Sequence, residues 1–360
     1  MSTGNVRGTL SDMTVQELVG VGLLLGVVVL VFDLLRLLLT GELPLARLGS
    51  YLWTGFIDSL YIGLAAIGLS MTYSILRFAN FSHGDLITTG AFSGWTVAYL
   101  IGGIGVADLT SRLLLRAGGG AQPGRIGMDI LAAPVAIVLG LVAAVIVTVL
   151  VALAIDRLVY RRLRDEDGIA VLIASVGVAL ALRYLLAVFY TPETRGVVAS
   201  APDVAGVDLH QMTLVVSALS LILGVHLLLQ YTKLGKSMRA MSDNKDLALI
   251  TGIPTERVIF ATWVIGAGLA GAAGYLIVLD RGQVSINLGW FLLLLIFAAV
   301  ILGGIGSIYG AIAGSLVIGI TINLSLVWIP SDMNEIAAFT LMILVLIFRP
   351  DGLFSGVETA

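Results

Sequence analysis

The residues best placed to do chemistry lie between two closely spaced apolar stretches, in the run Arg77 to Asp85, which reads RFANFSHGD. As an ordinary turn, the run would use Asn80, Ser82 and Asp85 to cap helix ends. A sharper reading is a re-entrant or broken-helix element, because bare backbone at membrane depth is tolerated only where it lines a cavity or is buried in protein. His83 has the chemistry of a metal ligand or a proton relay. The chain holds 3 histidines, His83, His210 and His226, too few for a multi-histidine metal centre, and no cysteine that would supply a thiolate ligand, a disulfide or a thiol nucleophile. No catalytic constellation accompanies them: there is no GxxxxGK[ST] phosphate loop, no HExxH pair and no GxSxG nucleophile elbow. The carboxylates expected of an ion-coupled pump are nearly absent from the later apolar stretches. Energy for any transport must therefore come from elsewhere, and neither a cofactor nor a metal is expected.

The elements that hold these residues are membrane spans. Of 360 residues 58% are hydrophobic and 12% charged, and the mean hydropathy of +1.05 excludes a water-soluble globule. The 20 Lys and Arg and 23 Asp and Glu sit in short clusters between apolar stretches long enough to cross a bilayer. The net charge of -3 leaves no footprint for nucleic acid. Residues 1–14 lack the charged start and short apolar core of a cleavable signal peptide, so none is expected. Charge-poor windows fall near 15–39, 55–76, 86–105, 130–155, 168–190, 212–231, 258–279, 288–329 and 336–348. The window 288–329 is about twice one crossing and is broken by Gly303, Gly304 and Gly306, so it divides in two. The expected fold is all-α, with about ten transmembrane or re-entrant helices, the last being short enough to be tilted or re-entrant. Ten spans suggest two five-span halves of opposite orientation, an inverted repeat with its pathway at the repeat interface.

Lys and Arg in the loops orient the chain. The 156–167 loop holds Arg157, Arg161, Arg162 and Arg164, and the 232–257 loop holds Lys233, Lys236, Arg239, Lys245 and Arg257. With both loops in the cytoplasm, 12 of the 20 cations lie inside and 6 outside, three of the latter in the glycine-rich 106–129 insertion. The expected organisation is a cytoplasmic segment 1–14, a single membrane domain 15–348 and a cytoplasmic tail 349–360, in the plasma membrane.

Other segments carry weaker signals. In the loop 232–257, Met238, Met241, Leu247 and Ile250 recur at helical spacing over Lys236 to Ile250, and Gly252 is a natural stop. A surface helix is expected there, either a solvated connector or a face that docks on a soluble partner. Gly266, Ala270 and Gly274, with Gly303, Gly304, Gly306, Gly310 and Gly314, favour close helix packing over a flexing gate. Asp33 and Arg36 stand i, i+3 on one helix face. Arg183 stands alone in a span, a site candidate unless it snorkels to the nearer interface.

The run Gly68 to Phe92, GLSMTYSILRFANFSHGDLITTGAF, resembles the signature of the permeases of branched-chain amino acid ABC importers, of the LivH type of the LivH/LivM pair. Leu234 to Ile253, Arg257 to Ile277, Ala299 to Gly319 and the closing Phe348 to Phe354 agree in the family's order; residues 1–50 and the 106–129 insertion are not covered. The family often has Glu where Asp85 stands and Ala where Ser82 stands. The resemblance implies one of two membrane subunits, a LivM-like second permease, two cytoplasmic ATPase subunits and an extracytoplasmic substrate-binding protein, all in a setting of membrane lipid. It places the family's ATPase-coupling helix on Lys236 to Thr251, so Met238, Met241, Leu247 and Ile250 become the expected contacts. The implied cargo is a branched-chain amino acid, with urea or a short amide as the alternative in the same family. A zwitterion is costly to strip of water. Thr72, Tyr73, Asn80, Ser82, His83, Asp85, Asn287 and Asn323 are the polar groups expected along its path. An intramembrane enzyme would need the motifs that are missing, and an ion-coupled carrier acting alone would need no ATPase.

The orientation is directly testable, because single cysteines meet no native background. Cysteine at Arg161 or Lys236 is expected to resist a membrane-impermeant thiol reagent in intact cells and to react after permeabilisation. Labelling of either from outside would invert the topology.

Overall fold

The computed structural model describes residues 15–104, 129–164, 166–190, 192–196, 203–204 and 207–353. Segment 1–14, most of the 106–129 loop and the end of the 349–360 tail lie outside the described residues. Twelve helices carry the described chain: α1 (Val15–Thr40), α2 (Leu45–Leu76), α3 (Ser82–Gly102), α4 (Pro134–Leu158), α5 (Gly168–Tyr190), α6 (Leu209–Tyr231), α7 (Lys233–Asp243), α8 (Lys245–Ile250), α9 (Thr255–Arg281), α10 (Leu288–Gly303), α11 (Ile308–Leu324) and α12 (Glu335–Phe348). Among the described residues, strand structure is limited to two antiparallel pairings of two residues each, Arg195–Gly196 with Gln283–Val284 and Asp203–Val204 with Val207–Asp208. Seven of the described helices, α2, α4, α5, α6, α9, α11 and α12, are long and apolar enough to cross a membrane, some counted with the short 3₁₀ turn at one end. The molecule is an all-α polytopic membrane protein.

Local signals set the helix limits. Pro134 begins α4, where its missing N–H costs nothing. The Asp208 carboxylate caps α6 by accepting from the His210 N–H at 2.7 Å, and Ser307 caps α11 by accepting from Gly310 at 3.0 Å. The break expected in 288–329 is real: α10 stops at Gly303, and Gly304 and Gly306 take φ of 104° and 88°. Helix α2 ends on Arg77 at φ 60°, the one described non-glycine residue with positive φ, and α9 ends on Gly282 at φ 68°.

Helices α2 and α9 form the centre. Of the most apolar window of each, 89% and 83% is buried, against 33% or less for α4, α5, α6 and α12, whose long apolar faces are left for lipid. Small residues bring the central helices together. A Cβ added to Gly68 would sit 2.6 Å from the Gly266 carbonyl, and one on Gly266 would sit 3.0 Å from that of Gly68. Gly84 in α3 meets Gly289 in α10 in the same reciprocal way. Lipid offers no hydrophobic drive between spans, so such backbone contact supplies the attraction. The packing reading of the glycine-rich second half therefore holds for Gly266, Gly274, Gly303, Gly310 and Gly314, while Gly304 and Gly306 serve the turn between α10 and α11.

Polar contacts gather at the two ends. At one, Arg164 bonds Asp156 through Nη2 at 2.9 Å and Glu256 through Nη1 at 2.7 Å, tying α4 to the start of α9. Burial works against this guanidinium's charge, yet the two carboxylates outweigh it and hold its pKa above the ordinary value. The same end holds Arg77, which donates to the Ser242 carbonyl. At the other end Trp53 Nε1 donates to Gln211 at 2.6 Å and Arg281 Nη2 to the Tyr61 hydroxyl at 3.1 Å. Asp33 and Arg36 do pair, at 2.9 Å, and Trp328 also donates to Asp33 at 2.9 Å.

Candidate functional site

The chain between α2 and α3 is non-helical and turns back into the protein. His83 Nε2 donates to the Ala65 carbonyl at 2.9 Å, and Ala65 lies eleven residues inside the end of α2 at Leu76, roughly 16 Å along the helix. Asn80, Ser82, His83 and Asp85 are all 1% exposed or less. This is a broken-helix element buried in protein, not a surface turn. Asn80 Oδ1 accepts from the Ser82 N–H at 3.1 Å, the Ser82 hydroxyl at 2.7 Å and the Tyr160 hydroxyl at 3.2 Å. Tyr160 stacks on Trp263 with ring centroids 5.4 Å apart. The Asn80 amide nitrogen and the Trp263 indole nitrogen are buried without a hydrogen-bond partner among the described residues, an expensive state for a donor. His83 spends its Nε2 on backbone, and among the described residues no group of three His, Cys, Asp or Glu could hold a metal.

Arg183 is not alone. Its Nε and Nη2 reach the two Asp85 carboxylate oxygens at 3.1 and 3.2 Å, with the Asp85 side chain fully buried and that of Arg183 12% exposed. The guanidinium also lies 4.6 Å from the Trp290 ring centroid. Charge pairing with a bidentate fork is what makes a carboxylate tolerable at this depth. Snorkelling is thus excluded as its main role, and Asp85 is an ion-pair partner, not a cap. Arg183 is thus the site candidate that its position in a span suggests, but its pairing with Asp85, like the places of Tyr160 and Trp290, carries no local sequence signal, because the three come from α5, the turn after α4 and α10.

The remaining expected pathway residues scatter. The Thr72 hydroxyl bonds back to Gly68 and Leu69 carbonyls at 3.1 and 2.9 Å, and Tyr73 is half-buried. Asn323 sits at the other end, where its Nδ2 donates to Asp58 at 2.7 Å, and Asn287 is exposed at the start of α10. The eight residues therefore do not form one lining.

The segment 232–257 also departs from expectation. It is two helices, because Asn244 leaves the helical region at φ −151° and its Oδ1 caps α8 by accepting from the Leu247 N–H at 2.9 Å. Met238 and Met241 are 4% and 1% exposed, packed into the chain's own core, and so cannot offer a docking face. Leu247 at 54%, Leu249 at 59% and Ile250 at 80% exposure form the apolar tip instead. Gly252, at φ 84°, ends α8 as expected.

Breaking a buried ion pair strands the remaining charge, at about 3 to 5 kcal/mol. Asp85→Leu and Arg183→Met are each expected to lower the melting temperature of the purified permease, and the double variant to recover part of the loss. Strictly additive losses would show that the pair does not act as a unit.

The profile of the branched-chain amino acid transport system permease component family matches residues 51–346. The high-affinity branched-chain amino acid transport system permease protein LivH of Salmonella typhimurium is 28% identical over 307 residues, covering 82% of this chain and 91% of that one. The permease BraD of Pseudomonas aeruginosa is 26% identical over 305 residues, covering 82% and 92%. A galactofuranose transporter permease, YtfT of Escherichia coli, is 30% identical over 153 residues, covering 40% and 44%. No solved structure matches. With more than half of its length matched by one family, including the broken helix and both central helices, the chain belongs to the branched-chain amino acid transport system permease components.

Proposed function

We propose that this chain is the pore-forming permease subunit of an ABC importer that moves branched-chain amino acids into the cell. Two separate ATPase subunits drive it, a LivM-like second permease pairs with it, and an extracytoplasmic binding protein delivers the cargo. The observation that carries the reading is the α8 tip: three aliphatic side chains exposed on a loop between spans, at the end rich in Lys and Arg. A solvated connector gains nothing from such a tip, whereas a groove on a soluble partner does. The cation-rich loops support a cytoplasmic placement of that end and of both termini.

We further propose the ten-crossing inverted repeat. Its support is a constant offset of 205 positions: the left-handed helix stops at Arg77 and Gly282 keep it, as do the reciprocal glycines Gly84 and Gly289. The carbonyls of Gly94 and Ala299, also 205 apart, approach Gly140 and Gly314 on the next helix of each half. The Arg281–Tyr61 and Gly68–Gly266 contacts run α2 and α9 antiparallel, as an inverted repeat requires. In this arrangement the buried, partnerless Asn80 amide nitrogen lies beside the repeat interface and is the path's first candidate donor to the cargo.

Uptake by the reconstituted complex tests the substrate. Labelled leucine is expected to accumulate with ATP while labelled urea is not, and Asn80→Leu is expected to lower the leucine rate at unchanged assembly. Urea uptake without leucine uptake would assign the amide branch. Equal loss of assembly and rate in Asn80→Leu would leave Asn80 a cap only.

For coupling, Ile250→Asp is expected to reduce ATPase co-purification by roughly tenfold, equivalent to about 1.4 kcal/mol, with the yield of the permease itself unaltered. Full co-purification would remove the docking role from α8.

A further inference from the structure

Helix α7 folds back over the ends of α2, α6 and α11 and leaves a cleft of about 70 Å³ that opens to the surface. One wall is apolar, built by Met71 and Ile75 from α2, Leu229 from α6 and Met238 from α7 itself. Arg239 and Asp243 line the same cleft one helical turn apart. Although neighbours at i, i+4 can pair, no ion pair joins these two among the described residues. Arg239 is held by a polar relay: its Nη1 donates to Gln230 Oε1 at 3.2 Å, Gln230 Nε2 donates to the Tyr309 hydroxyl at 2.9 Å, and that hydroxyl meets His226 Nδ1 at 2.9 Å. Such a relay fixes the guanidinium while using only part of its five-donor fork.

A cation and an anion left unbridged on one wall, with an aliphatic wall beside them, match a small zwitterion that carries an aliphatic side chain. Its carboxylate meets Arg239, its ammonium meets Asp243, and its side chain covers Met71, Ile75 and Leu229. A neutral amide would leave both charges unmatched and the apolar wall wet. Neither the broken helix nor the Asn80 donor belongs to this cleft. We propose that it is a second, regulatory site for an aliphatic α-amino acid, on the face that bears the coupling segment. An occupant bridges α7 to α2 and α6 and so restrains the helix that leads into α8. The restraint on ATP hydrolysis rests on the coupling role proposed above; the occupancy itself does not.

Equilibrium dialysis of labelled leucine against the purified permease complex, without binding protein, tests the site. Saturable binding is expected, weakened at least tenfold by Arg239→Gln and by Asp243→Asn, with leucinol and 4-methylpentanoate, each lacking one charge of leucine, failing to compete. In parallel, the ratio of ATP hydrolysis with and without leucine is expected to fall below one in the parent complex and to return towards one in both variants. No binding to the parent complex, binding indifferent to both substitutions, or competition by leucinol equal to that by leucine would overturn the proposal. If Arg239→Gln fails to fold, Asp243→Asn decides alone, since Asp243 is exposed. Failure of leucine uptake with leucine binding intact would instead overturn the transport reading and leave the cleft standing.

Discussion

Backbone-to-backbone approach through glycine is the constraint on which the other features depend. Gly68 against Gly266 and Gly84 against Gly289 bring four helices to distances that no side chain would permit. In water a bundle is driven together by its apolar faces, but lipid tails solvate those faces as well as a neighbour does. What remains is dispersion over close surfaces, together with the internal pairing of every polar group. The peripheral helices α4, α5 and α6 accordingly keep large aliphatic faces outward, and the small residues collect on α2, α3 and α9.

That close packing explains where polarity can be stored. With α3 packed against α4, α9, α5 and α10, the start of α3 is buried, so each polar group there needs a partner. His83 finds a backbone carbonyl, Ser82 and Asn80 find each other and Tyr160, and Asp85 finds Arg183. The fold supplies these partners from remote parts of the chain, which makes the region rigid in its oxygen contacts. The Asn80 amide nitrogen and the Trp263 indole are the exceptions.

Much of this was readable from sequence where the signal is local. Hydropathy located the long apolar helices, Gly303 to Gly306 divided the long window, the Gly266, Ala270 and Gly274 spacing announced packing, and Gly252 announced the end of α8. Failures arose wherever a partner was distant or a local rule competed. Asp85 and Arg183 are 98 positions apart, and nothing in either neighbourhood names the other. Asn244 looked like one more polar residue in a helical run, although asparagine caps compete with helix continuation, and here the cap won. The Met238 and Met241 spacing correctly marked an apolar face, but periodicity does not say whether such a face turns outward or back onto its own protein. Here the thioethers close the chain's own core and the next helix bears the exposed tip.

The left-handed stop at Arg77 has a mechanical consequence. Its counterpart under the repeat reading is Gly282, where the same backbone shape is free; at an arginine it costs roughly 1 to 2 kcal/mol. What the arginine gains is a tether, since its guanidinium holds the Ser242 carbonyl in α7, and a glycine has nothing with which to reach it. The two halves are therefore not loaded alike. Besides its covalent joins to α6 and α9, the 232–257 segment thus has a side-chain tie to the end of α2 and the broken helix behind it, and a glycine at position 282 can offer no such tie. Under the repeat and coupling readings proposed above, a nearly symmetric frame would thereby be driven from one side, and a one-sided drive would give it a preferred direction of tilt.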